Sequence, residues 1–128
     1  MTAQIRKGWI AVDFDGTLVA RSSQAEGIGE PIMPMLERVW QWLEEGRDVR
    51  LFTARAYPPP GSEHKLKPLR AWMREWLGKE LPITCTKDPE MCALFDDVAV
   101  SVGQDTGELA IASGNETEEL VKDASEVQ

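Results

Sequence analysis

Short apolar runs alternate with amphipathic stripes along this chain, and that alternation restricts it to very few folds. Trp9–Val12 is an apolar run that meets acids at Asp13 and Asp15, the pattern of a buried parallel strand. Residues 19–34 read as loop, punctuated by Gly27, Gly29, Pro31 and Pro34. Met35, Leu36, Val39, Trp40 and Leu43 then recur at helical spacing as far as Gly46. Val49–Phe52 is a second strand ending at Thr53, and the AYPPPGSEHK stretch after it is too rich in proline for regular structure. Leu66, Leu69, Met73, Trp76 and Leu77 form a second helical stripe that stops at Gly78. Further strands are expected at 82–86, 91–95 and 98–102. This order predicts an α/β fold, a three-layer α/β/α sandwich around a mostly parallel, Rossmann-like sheet.

With 128 residues the chain holds one real core. No apolar run approaches the ~20 residues that cross a bilayer. The basic N-terminus leads into an apolar stretch that contains Asp13 and lacks a small-residue cleavage site, so no signal peptide is read there. A cytoplasmic, membrane-free protein is the expectation. Cys85 and Cys92 lack metal-site spacing, and His64 is the sole histidine, so both are expected as packed thiols. The net charge of −8 is unevenly spread: residues 104–128 carry seven acids against one base, Lys122, leaving fifteen acids and thirteen bases for the body. The division expected is therefore a catalytic domain over 1–103 and an acidic, partly disordered tail over 104–128.

In parallel sheets chemistry gathers beyond the carboxyl ends of the strands. Asp13 and Asp15 follow the first strand, Thr53 and Arg55 the second, Lys87 the third, and Asp96 and Asp97 the fourth. All fall on one edge. Four carboxylates crowded there require a cation, and hard oxygen ligands favour Mg²⁺. A hydroxyl and an ammonium beside them suit an anionic phosphoryl group. One carboxylate can attack phosphorus and another can move protons. Gly16 lets the backbone approach a ligand closely. Simpler roles exist for some of these residues: Thr53 can cap a turn, while Lys87 and His64 can be solvated loop groups.

The residues VDFDGTL, LFTAR, the lysine of TCTKDPE and LFDDVAV follow one another in the order of the four motifs of the haloacid dehalogenase superfamily, which the chain resembles over residues 9–102. The resemblance implies a phosphotransferase-type site. Asp13 would be nucleophile and Mg²⁺ ligand; Asp15 would be the general acid/base and reach the metal through its backbone carbonyl. Thr53 and Lys87 would bind the transferred phosphoryl group, and Asp96 or Asp97 would complete the metal set. Backbone N–H groups from Phe14 to Gly16 would form the phosphate cradle.

Members of that superfamily differ in the cap over the site. Sixteen residues between Leu18 and Met35, and thirty-three between Thr53 and Lys87, leave no room for a large cap domain. An open site admits bulky substrates or is covered by a second copy of the chain. Bases of the 54–79 segment, Arg55, Lys65 and Lys67 among them, are candidates for holding further negative charge on a substrate. The function expected is Mg²⁺-dependent hydrolysis of a small phosphomonoester, a metabolite or nucleotide, through an aspartyl-phosphate on Asp13. The alternatives are a nucleic-acid 3′-phosphatase, disfavoured by the acidic tail and the lack of a basic-aromatic stripe, and a phosphoacceptor or non-catalytic binding module on the same type of sheet.

Overall fold

The computed structural model describes residues 6–24, 27–58 and 63–110. The chain divides into two compact units between Asp97 and Val98, earlier than the boundary after Gly103 that composition suggests.

The first unit is built on four strands, β1 (Trp9–Val12), β2 (Asp48–Phe52), β3 (Ile83–Thr84) and β4 (Met91–Phe95), with helices α1 (Met33–Glu44) and α2 (Glu63–Leu77). The strands lie in the order β3-β2-β1-β4, and every pairing is parallel. This is the expected α/β class with a Rossmann-like sheet. β1 is central and all four of its residues are buried, which is why its run is continuously apolar rather than alternating.

Side-chain alternation assigns the two faces. Ile10, Val12, Val49 and Leu51 are level with one another across β1 and β2. They join Leu36 and Val39 of α1 and Leu66, Leu69 and Met73 of α2 in one buried cluster. Each fully buried aliphatic side chain there contributes ~1.5–3 kcal/mol. Trp42 packs tilted against Phe95 at 4.8 Å, and Trp72 meets Phe14 edge-on at 5.2 Å. Both crossovers, β1 to β2 and β2 to β3, step the same way across the sheet, so right-handed connections put α1 and α2 on the same face.

The second face carries no helix among the described residues, so the third layer of the expected sandwich is not seen there. Only residues 85–90 connect β3 to β4, too few for a crossover helix. They form a strap instead. Asp88 accepts a hydrogen bond from the Trp9 indole at 2.8 Å, and Trp9 N–H donates to Glu90 O at 3.0 Å. The Arg50 guanidinium lies 4.7 Å from the Trp9 ring and Phe52 packs beside it, so Trp9 is only 1% exposed on this face.

The stretch after β2 differs from the sequence expectation in two places. Ala54–Ala56 form one 3-10 turn capped by Thr53, and α2 begins at Glu63 within the stretch read as irregular. Residues 18–32 return on themselves, with Ala20 N–H donating to Glu30 O and Ile32 N–H to Leu18 O, and no cap domain is present among the described residues. Cys85 and Cys92 are free thiols packed at the edge of the core, as expected.

The second unit contains β5 (Ser101–Val102) and β6 (Leu109–Ala110), paired antiparallel to each other. The strand expected at 98–102 is thus shorter and belongs to a hairpin of its own. Residues 111–128, most of the acidic tail, lie outside the described residues.

Candidate functional site

Beyond the carboxyl end of β1 the chain leaves the sheet through a tight turn. Phe14 O accepts from the N–H groups of Thr17, Leu18 and Val19, and Gly16 N–H donates to Val19 O at 2.7 Å. The Gly16 N–H is therefore committed to the turn rather than to the expected phosphate cradle. Gly16 has φ 90°, and a β-carbon there would stand 2.6 Å from Asp97 Oδ2. Both the backbone conformation and the space demand glycine. Gly16→Ala is expected to cost ~1–3 kcal/mol, read as a lower denaturant midpoint with unchanged slope; an unchanged midpoint would mean that Asp97 is not held against this turn.

Asp13 follows β1 directly, and its N–H donates to Phe95 O at 2.9 Å, which brings it level with the end of β4. Asp96 and Asp97 follow β4. One carboxylate oxygen from each of Asp13, Asp96 and Asp97 lies within 4.8 Å of the others. Thr17, which the sequence reading gave no role, is the hub of this group. It is 8% exposed; its hydroxyl donates toward Asp97 Oδ1 at 3.1 Å, lies 3.4 Å from Asp13 Oδ2, and accepts from Asp97 N–H at 3.0 Å. Arg21, likewise unassigned from sequence, bonds Asp97 Oδ2 at 3.0 Å. Thr17 was signalled only by its place beside Gly16.

Burial, the adjoining Asp97 carboxyl and the Asp96 charge together push the Asp13 carboxyl from its ordinary 3.8 up to about 7, against the Phe14 N–H that favours the carboxylate. Burial alone would also raise Asp97, but Arg21, the Asp13 carboxyl, Thr17 and the Asp97 backbone N–H outweigh it and hold Asp97 below its ordinary value. The pair thus keeps a proton on Asp13 while Asp97 is ionised.

Asp15 is turned away from this cluster. Arg55 grips it with both arms, Nε to Oδ2 at 2.8 Å and Nη2 to Oδ1 at 2.7 Å, and the same Nη2 donates to Gly27 O at 2.6 Å. The guanidinium also lies 5.5 Å from the Phe14 ring. Its two-pronged geometry is the strong form of such a pair. Thr53 is 3% exposed, accepts from Arg55 N–H at 3.1 Å, and its hydroxyl donates to no described residue. Turn capping and a donor role are both open to it.

Lys87 is exposed and makes no hydrogen bond or ion pair with a described residue. It stands one residue before Asp88, which is tied to Trp9 at the start of β1, so the strap is by then heading for the opposite edge of the sheet. His64 and Lys65, in the first turn of α2, line a cleft that also takes in Asp15 and Arg55, whereas Lys67 does not.

Sheet order and the acids at its carboxyl edge define an α/β protein with a three-carboxylate cluster at a topological switch point, where the chain passes to β2 on one side of β1 and β4 flanks the other. The fold is similar to that of a solved structure described as a conserved protein coded by a locus from Bacteroides thetaiotaomicron, at 23% identity over 93% of each chain and a TM-score of 0.54. No family model and no curated protein matches the chain. No helix among the described residues is long and apolar enough to cross a membrane.

Proposed function

We propose that the chain is a Mg²⁺-dependent phosphomonoester hydrolase of the haloacid dehalogenase type, acting through an aspartyl-phosphate on Asp13. The observation that supports this most is the meeting of Asp13, Asp96 and Asp97 within 4.8 Å.

The donor set fits Mg²⁺. All three groups offer hard carboxylate oxygens within 4.8 Å of one another, the ligand type that Mg²⁺ takes, and Asp13, Asp96 and Asp97 would hold the ion. The cost of gathering these acids, expressed in the raised Asp13 carboxyl, is what a cation would relieve. When bound, Mg²⁺ supplies charge neutralisation for the carboxylates and the phosphoryl oxygens.

The residues of the chain divide the remaining work. Asp13 Oδ forms the bond to phosphorus as the ester P–O bond breaks, and the proton of Asp15 passes to the departing alkoxide. Water then attacks phosphorus, Asp15 takes its proton, and the Asp13–phosphorus bond breaks to give orthophosphate and the free carboxylate. Arg55 fixes the position of the Asp15 carboxyl group. Thr53, at the end of β2 beside β1, would donate to a phosphoryl oxygen.

The test is phosphate release from p-nitrophenyl phosphate with Mg²⁺ and with EDTA. Release that disappears on chelation and returns with Mg²⁺ is expected. Release indifferent to EDTA would remove the metal from the scheme, and none from any phosphomonoester would remove the scheme itself.

A further inference from the structure

The cleft beside Asp15 has a volume of about 500 Å³, within the ~300–1,000 Å³ of small-molecule sites. Asp15 lines it, together with His64 and Lys65 from the start of α2. Resting on the phosphatase reading, a general acid in the wall fixes what the cleft receives. The group that Asp15 protonates is the departing alcohol, so the leaving group extends into this space.

Its lining then describes that leaving group. Two of the three fixed cations are already engaged: Arg21 with Asp97 and Arg55 with Asp15. Lys65 makes no hydrogen bond or ion pair with a described residue. An ammonium facing a cleft without a carboxylate of its own suits an anion on the ligand. Ser22 and Gln24 add hydroxyl and amide groups, and among the described residues no Phe, Tyr or Trp lines the cleft. A nucleobase would lack an aromatic platform to stack on, whereas a polyol would find partners for its hydroxyls.

We propose that the cleft binds the leaving group of a phosphorylated polyol carrying a second anionic group at its far end, and that Lys65 receives that second anion. Phosphate and carboxylate share the chemistry required; the assay separates them.

The experiment compares glucose 6-phosphate, glucose 1,6-bisphosphate and 6-phosphogluconate, which keep the 6-phosphate and place a hydroxyl, a phosphate or a carboxylate at the other end. Hydrolysis is measured with Mg²⁺ for the wild type, Lys65→Ala and Lys67→Ala. Binding of the same three compounds is measured by calorimetry in Asp13→Asn, with and without Lys65→Ala. At least one doubly anionic compound is expected to exceed glucose 6-phosphate in kcat/KM by about tenfold, chiefly through KM. Lys65→Ala should bring that ratio close to one, in turnover and in binding alike, while Lys67→Ala keeps it. Which of the two compounds is preferred identifies the anion. Hydrolysis with no such preference, or a preference that survives Lys65→Ala, would overturn the inference and leave the phosphatase reading standing. Absence of hydrolysis for these compounds and for p-nitrophenyl phosphate would strike the reading beneath it, and binding indifferent to Lys65 would overturn the inference independently.

Discussion

Asp13→Asn is expected to lower phosphate release by ~10⁴-fold or more, the scale of losing a covalent nucleophile, and at the same time to stabilise the metal-free protein. Both effects have one cause. The Asp13 carboxylate, the proposed nucleophile, is packed against Asp96 and Asp97, and its carboxyl is raised from 3.8 to about 7. Between those values the folded state binds more protons than the unfolded chain, so stability falls as pH rises. The contribution is fully present below about 3.8 and lost through about 7. An amide of the same shape carries no charge to repel and nothing to titrate. In EDTA, the melting temperature of Asp13→Asn should therefore match the wild type near pH 4 and rise above it progressively towards pH 7. Mg²⁺ should narrow the gap by stabilising the wild type more than the variant. Equal melting curves at every pH would mean the three carboxylates are not crowded in solution; retained phosphate release would assign the nucleophile elsewhere. Acids gathered at a cost in stability for the proposed function would be the familiar exchange of stability for function.

Asp15→Asn is expected to lose ~10²–10⁴-fold, the usual contribution of a general acid/base, with a signature distinct from that of Asp13→Asn. A p-nitrophenolate departs without a proton, so attack by Asp13 on that ester is largely spared. Hydrolysis of the aspartyl-phosphate is not spared, because the amide cannot take a proton from water. The variant should accumulate protein heavier by one phosphoryl group in intact mass spectrometry, after a burst of nitrophenolate. Esters of ordinary alcohols, which need protonation to leave, should fail at the first step and yield no adduct. Asp13→Asn should yield none with either. Asp15→Asn working at the wild-type rate would deny Asp15 any part in proton transfer, whatever Arg55 does to hold it.

The carboxylates of the candidate site were legible in the sequence because strand ends are local features: a short apolar run followed by acids identifies Asp13, Asp15, Asp96 and Asp97, and the parallel-sheet rule brings them to one edge. The central four strands and both helices followed from period and from their glycine stops. What escaped depends on loops, where no period constrains the path. Thr17 and Arg21 meet Asp97 because the turn at Gly16 folds the chain back, and no spacing along the sequence encodes that return. Arg55 was legible as a residue of the active edge, but its grip on Asp15 and on Gly27 O is a meeting of two loops. Strand propensity at 98–102 gave no indication of its partner, which lies at Leu109–Ala110. Lys87 was assigned by order in the sequence alone, and order does not say that the strap carrying it is tied to Trp9.

That strap also sets a length. Thr84 is level with Phe52, and Met91 with Trp9, so the chain must travel three strand spacings sideways and about four residues back, ~19 Å in a straight line. Seven Cα steps reach at most ~24 Å, and part of that excess is spent arching over the Trp9 ring. Little slack remains. β4 is consequently moored at its start, and that mooring, less the one residue taken up by the register shift between Trp9 and Ile10, sets how far it extends past β1, at the edge remote from the candidate site. Asp96 and Asp97 meet Asp13 because a tether at the far end of the strand is cut to the right measure.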